Sequence, residues 1–244
     1  MKKQIFLTLL VSIFTLGAQA QWRGSKNKIK GNNNKVTIDR KTSDYDKIHL
    51  KGSWDVKLIK GTEGNLTITG ESNLLEYIVT EVEGDKLIIH SKNGYSLSTS
   101  FGETIVVSVP FSDLDGIYLS GSGDIEGEDT VIADDLDIVV SGSGDIAINL
   151  QATNLKSKVT GSGDVLLKGE ATAFECSVTG SGDISAYGVT AKNVEASVTG
   201  SGDIAVTATE SIKGRVTGSG DIDFKGNPIT KDTKVLGSGD ITAN

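Results

Sequence analysis

The ionisable side chains whose spacing could do chemistry are seven aspartates. Asp124, Asp145, Asp164, Asp183, Asp203, Asp221 and Asp240 each close a Gly-Ser-Gly-Asp quartet, at intervals of 21, 19, 19, 20, 18 and 19 residues. Carboxylates repeated in glycine-rich turns are one way to hold a file of Ca²⁺ ions. Each Ca²⁺ asks for about 6–8 oxygens, however, and one aspartate per repeat supplies few. The favoured reading is that each aspartate caps its own turn and otherwise faces water. Stacked at one corner, neighbouring carboxylates would lie about 5 Å apart and repel. Backbone N–H groups, serine hydroxyls or a cation must then offset the charge.

Three other constellations invite chemistry, and none holds. Asp129, Asp134, Asp135 and Asp137 cluster like the acidic ligands of a polysaccharide lyase. Asp135 and Asp137 flank Leu136, which puts both on a solvated outer face, and the long loops that build a lyase cleft are missing. The six-residue rungs of an acyltransferase helix fit Val140 to Ile146, but Ala152, Ala171, Thr190, Glu210 and Pro228 then break the aliphatic rule. His49 and His90 are the only histidines and read as exposed strand residues. No nucleophile elbow or Cys/His metal spacing is present. The Gly-Ser-Gly-Asp quartets precede strands, so they do not cradle phosphate as a helix N-terminus does. No catalytic residue, metal or cofactor is assigned.

The elements that carry the aspartates repeat with them. Five positions before each aspartate stands Leu119, Val140, Val159, Val178, Val198, Val216 or Val235, and one position after it Ile125, Ile146, Val165, Ile184, Ile204, Ile222 or Ile241. The flanks alternate, as in Leu136, Ile138, Val140 and in Phe174, Cys176, Val178, which marks strands with one buried face. Cys176, the lone cysteine, falls inward and is core. Gly-Ser-Gly supplies the positive φ of a sharp corner. A period near twenty residues with strands on both sides of such a corner predicts a β-solenoid. The expected form is a single-stranded, right-handed parallel β-helix with two facing sheets and a second turn in each coil. Thr160, Thr179, Thr199 and Thr217 should then form an outward file.

The first half reads as degenerate coils. Gly52-Ser53-Trp54-Asp55-Val56 matches the quartet with tryptophan in the second glycine's place, and the 69 residues from Asp55 to Asp124 leave room for about three and a half further coils. Ser72 to Ile78 predicts a helical turn capped by Ser72 or Asn73, placed to close the end of the stack. Residues 21–42 are basic and polar and are expected to form a leader or a ragged first coil. Residues 1–20, with Lys2 and Lys3 ahead of an apolar run and Ala18-Gln19-Ala20 behind it, have the pattern of a secretory signal peptide. The resulting organisation is 1–20 signal, 21–42 leader, and 43–244 β-helix, divided into degenerate coils over 43–118 and regular ones over 119–244. Neither a lipid-anchor cysteine nor a further membrane span is expected, which suits a periplasmic, outer-membrane-associated or extracellular protein. The net charge of −8 gives no electrostatic reason to seek nucleic acid.

The Gly-Ser-Gly-Asp-Ile coils, together with Gly52-Ser53-Trp54-Asp55-Val56 and Asn73-Leu74-Leu75-Glu76-Tyr77-Ile78, resemble the putative auto-transporter adhesin "head GIN domain" family over roughly residues 43 to 244. The resemblance implies a right-handed β-helix with Gly-Ser-Gly turns, a role in cell adhesion and no catalytic set. No barrel-forming segment like that of trimeric autotransporters is expected, and so neither is export by that route. The expected function is non-catalytic binding of a cell-surface glycan or protein. A structural, self-associating envelope protein is the alternative, with a polysaccharide-active enzyme third.

Overall fold

The computed structural model describes residues 27–244. The expected signal peptide and residues 21–26 of the leader lie outside the described residues. The elements in order are β1 (Asn27–Lys30), β2 (Lys35–Lys41), β3 (Lys47–Gly52), β4 (Asp55–Lys60), β5 (Asn65–Glu71), α1 (Ser72–Leu75), β6 (Ile78–Glu83), β7 (Lys86–Ser91), β8 (Tyr95–Ser98) and β9 (Val106–Phe111). The repeats follow as β10 (Gly116–Gly121), β11 (Ile125–Gly127), β12 (Val131–Gly142), β13 (Ile146–Gly161), β14 (Val165–Gly180), β15 (Ile184–Gly200), β16 (Ile204–Gly218), β17 (Ile222–Lys225), β18 (Thr230–Gly237) and β19 (Ile241–Ala243).

From β10 onward each coil lies parallel on the one before, forming a solenoid. The inward files are the ones the repeat predicts, except in the last coil, where no further coil covers Val235 and it is exposed. Val140, Val159, Val178, Val198 and Val216 stack on one side, and Ile125, Ile146, Val165, Ile184, Ile204 and Ile222 on the other, none more than 1% exposed. Burying each such side chain contributes about 1.5–3 kcal/mol, and the file repeats that gain coil after coil. Cys176 is core as expected, and burial pushes its thiol pKa up. Ser157, two places before Val159 in the same inward row, is buried with its hydroxyl unpaired.

In β12 to β16 the second turn lies inside a continuous strand, while in the last coil Gly226, at φ +94°, marks it. In β13 the in–out alternation breaks where Thr153 and Asn154 are both exposed, while pairing resumes at Asn154 and continues to Gly161. The chain bends there inside one continuous strand, so β12 to β16 each wrap both sides of the coil. Differences in coil length are absorbed on a side: between Ala186 and Thr190 three residues of β15, Tyr187, Gly188 and Val189, have no partner in β16, and β16 carries one extra residue between Ala208 and Ser211.

The degenerate half is different from its expected form. β3 and β4 do make a coil on the solenoid axis, with Leu50 opposite Leu119, Gly52 opposite Gly121 and Val56 opposite Ile125. No coils intervene between Asp55 and Asp124; the two corners are neighbours. Residues 61–115 instead build a nearly closed mixed sheet. β5 runs antiparallel to β2 and β9, and β6 antiparallel to β7, while β7 and β9 lie parallel on β3 and β4. Gly84, at φ +67°, sits in the tight β6–β7 hairpin, where a solenoid coil would need a parallel return. Residues 27–41 are neither leader nor coil, since β1 pairs with β8 and β2 with β5.

The helical turn closes that end of the stack, burying Leu74 and Leu75. Its expected caps do other work: Ser72 Oγ accepts from Asn32 and Asn34, and Asn73 donates to the Lys30 carbonyl. The buried Glu71 carboxylate accepts from the Asn33 N–H at 2.6 Å, the Ser100 N–H at 2.8 Å and the Ser100 hydroxyl at 2.6 Å. It thereby clasps two loops. Trp54 is buried with its indole against Gly52, where later coils receive the previous corner's backbone. At the opposite end Lys231 takes the inward position of Ile212 and lays its ammonium 5.3 Å from the Phe224 ring centre, an inward charge that blunts the edge of β18.

Two outcomes check this account. Gly163→Ala places a Cβ 2.1 Å from the Gly144 carbonyl oxygen and is expected to cost at least about 2 kcal/mol in chemical unfolding, while Ser162→Ala at the exposed neighbour stays within about 0.5 kcal/mol. The Ser100 hydroxyl and the Ser100 and Asn33 N–H groups depress the Glu71 pKa. The clasp therefore stabilises at neutral pH and weakens as pH falls through that lowered value. Hydrogen exchange over residues 27–34 should accelerate on acidification, and in Glu71→Gln already at pH 7.

Candidate functional site

Two features of the solenoid could meet a ligand: the aspartate corner and the broad outer face beside it. The corner begins with backbone. The first glycine of each quartet has positive φ, between +127° and +140°, and its carbonyl accepts the N–H groups of both the serine and the second glycine one coil on. For Gly161 these contacts measure 2.8 Å from Ser181 and 3.1 Å from Gly182. The Ile or Val after each aspartate donates its N–H to the next coil's aspartate carbonyl, as Ile146 does to Asp164 at 2.9 Å.

The aspartate side chains complete this set. The N–H of Asp145 donates to Asp124 Oδ1 at 3.0 Å, and the same bond repeats at Asp164, Asp183, Asp203, Asp221 and Asp240 between 2.7 and 2.8 Å. Asp124 itself reaches back to Asp55 at 3.4 Å. Each carboxylate thus caps the turn of the coil after it, not its own. An N–H dipole placed at each carboxylate from Asp124 to Asp221 offsets part of the charge of the file. Among the described residues, no group of three or more His, Cys, Asp or Glu is placed to hold a metal ion. Asp135 and Asp137 lie on the outside flanking buried Leu136; Asp135 accepts from Asn154, and Asp129 accepts the Lys60 N–H.

The outer face spans the mixed sheet and the solenoid in one register. One file runs His90, Lys51, Ser120, Ser141, Thr160, Thr179, Thr199, Thr217. Hydroxyls therefore occupy six successive rungs, about 4.8 Å apart. The matching file on the other side of the corner mixes Glu126, Ala147, Leu166, Ser185, Ala205 and Asp223. Two depressions of about 600 Å³ flank the second bend, one lined by Asn154, Lys156, Glu175 and Asn193, the other by Thr153, Thr172 and Thr190.

At the mixed-sheet end of the hydroxyl file lies a group the sequence analysis did not bring together. The Tyr118 ring lies over Gly116, where a Cβ would meet it at 2.6 Å, and the ring centre is 5.9 Å from that of His49. His49 Nε2 shares a hydrogen bond with Ser120 Oγ at 2.9 Å, and the Lys86 ammonium is 4.6 Å from the Tyr118 ring centre. Burial, with Lys51 and Lys86 adding to it, pushes the His49 pKa down to about 4. Both histidines are half-buried, unlike the exposed positions expected, and His90 Nε2 sits 2.7 Å from Glu81 Oε1. The signal for this group was the offset shared by His49 and Tyr118, each six places before a corner aspartate. It has meaning only if the Asp55 and Asp124 corners are adjacent.

Known proteins agree with this architecture. A family model described as "Putative auto-transporter adhesin, head GIN domain" matches residues 44–228. A putative adhesin from Bacteroides fragilis NCTC 9343 is 30% identical and superposes with a TM-score of 0.84, covering 88% of this chain and 100% of its own. A putative lipid binding protein from Parabacteroides distasonis ATCC 8503 is 28% identical over 89% of this chain and 100% of its own, with a TM-score of 0.74. A putative adhesin from the same organism is 25% identical over 89% and 100%, with a TM-score of 0.70. No curated protein matches.

The corner chemistry has a direct test. Asp183→Asn keeps an oxygen for the Asp203 N–H and removes one charge from the file, so its unfolding midpoint should equal or exceed that of the parent. Asp183→Ala loses the acceptor and should cost about 1 kcal/mol. Millimolar Ca²⁺ is expected to leave the parent's melting temperature unchanged; a rise that disappears in Asp183→Asn would establish a cation file instead.

Proposed function

The chain belongs to the putative auto-transporter adhesin, head GIN domain family, and from that premise we propose that it is a non-catalytic binding module of the cell envelope. It contacts a repeating surface ligand, a glycan, through the outer face of the solenoid. The observation that carries this reading is the unbroken file of hydroxyls from Ser120 to Thr217. A strand position on a solvated face accepts many residue types, and the file across the corner shows that freedom in use. Six hydroxyls in succession form a rail of donors and acceptors spaced to meet a polymer of regular repeat. Loop insertions do not interrupt it. The right-handed winding belongs to the same proposal and is supported by the handedness of parallel crossovers.

Self-association is the second reading. β18 is exposed throughout, with Val235 37% and Leu236 57% exposed, and it offers a long edge to another strand. The inward Lys231 opposes that pairing, which ranks this reading below the first. Light scattering on the purified chain decides it.

A glycan array probes the binding reading. The parent is expected to bind, and the combined Thr160→Lys, Thr179→Lys and Thr199→Lys variant to lose at least tenfold in affinity, with each exposed substitution changing stability by no more than about 0.5 kcal/mol. A parent that binds no glycan, or a triple variant that binds as well as the parent, overturns it.

A further inference from the structure

The outer face is not uniform, and its mixed-sheet end differs from the rest in charge and in shape. Three lysines, Lys47, Lys51 and Lys86, project there from β3 and β7, in a chain whose net charge is −8. Lys47 is paired with Asp85 at 2.6 Å. Among the described residues Lys51 and Lys86 have no carboxylate within salt-bridge distance. Between them stand His49 and the Tyr118 ring. That ring lies along the sheet because Gly116 leaves room beneath it. A ring laid flat on a sheet gives the C–H face of a pyranose a place to stack. Val139, the half-buried neighbour in the same outward row, borders it with apolar surface. Ser120, bonded to His49, begins the hydroxyl rail.

We propose that this group is a subsite for a negatively charged sugar residue, with Tyr118 stacking on the ring and Lys51 and Lys86 pairing with its carboxylate or sulfate. The inference rests on the reading of the outer face as a glycan surface and names the class of glycan: an acidic polysaccharide whose chain continues along the rail. Lys51 and Lys86 favour this occupant, working against Asp85, Asp115 and Asp137, whose charges act on the Tyr118 hydroxyl. Lys86 now rests against the Tyr118 π-face, a weak partner for an ammonium at an exposed site. A carboxylate bound beside the ring is a stronger one. His49 is held neutral in the free protein, so it can hydrogen-bond sugar hydroxyls and adds no charge repulsion to the two lysines.

Binding of three tetrasaccharides to the full chain tests the proposal by calorimetry: tetragalacturonate, a heparin-derived tetramer and neutral galactotetraose. At least one acidic tetramer is expected to bind tenfold or more tightly than the neutral one, with the preference shrinking as salt is raised. The preference should vanish in Lys51→Gln/Lys86→Gln and return in Lys51→Arg/Lys86→Arg. By NMR, bound acidic ligand should raise the His49 titration midpoint. The charged groups facing His49 are Lys47 and Lys51 on its own strand, Lys86 and His90 on β7, Asp85 in the adjoining turn, and the Tyr118 hydroxyl on β10. No acidic preference, a preference that survives Lys51→Gln/Lys86→Gln, or inorganic sulfate binding as tightly as the tetramers overturns the proposal. The two readings separate cleanly. Equal binding of acidic and neutral tetramers that the threonine-to-lysine triple variant abolishes sinks the acidic subsite and keeps the rail. Loss in the double glutamine variant alone keeps the subsite and sinks the rail.

Discussion

Everything in this molecule is arranged around the distance between one backbone corner and the next. At each Gly-Ser-Gly-Asp turn a single carbonyl receives two N–H groups from the following coil, and a Cβ on either glycine would fall 1.9–2.3 Å from a carbonyl oxygen of the coil before. No side chain fits that gap. The glycines are therefore there for contact as much as for φ, and the serine between them, which points outward, is free of the constraint. With the corners locked, the valines and isoleucines beside them have no freedom to slip register. The core follows from the turn.

The carboxylates extend the same logic to charge. A column of like charges costs energy unless each member is answered locally. Here each one from Asp124 to Asp221 is answered by the N–H of the next aspartate, so a side chain that threatens the stack becomes one of its rungs. The ends need different solutions, because a coil without a neighbour has unanswered backbone. Trp54 covers one corner with an indole, and a mixed sheet with a short helix closes that end of the core. At the other end an inward lysine over Phe224 makes the edge a poor template for a foreign strand.

The regular half was legible because its determinants are local and repeated: alternation fixes which residues face inward, and the glycines fix where the chain turns. Asp55 was also identified correctly as a corner aspartate. The 69 residues between Asp55 and Asp124 do not wind as coils, since a sequence interval carries no information about whether the chain winds forward or folds back. Antiparallel pairing of β2 with β5, and of β5 with β9, depends on partners far apart in sequence, and no short pattern records it. The second bend was expected as a turn but in β12 to β16 left no glycine to mark it, because a strand can bend there without leaving its ladder. His49, Tyr118 and Ser120 escaped notice for the first reason: they become neighbours only when the excursion is folded out of the way.

That excursion has a wider meaning for how such a scaffold changes. Residues 61–115 leave the coil at the bend opposite the glycine corner and rejoin it one level on, with Leu50 still facing Leu119. The architecture therefore has one side where length is forbidden and one where it is free. New material can be spliced in at the free side, even a whole subdomain, while the adjoining levels close up as though nothing had been added. A lineage built on this plan can acquire new surfaces by insertion at that bend and leave the stacked glycines untouched.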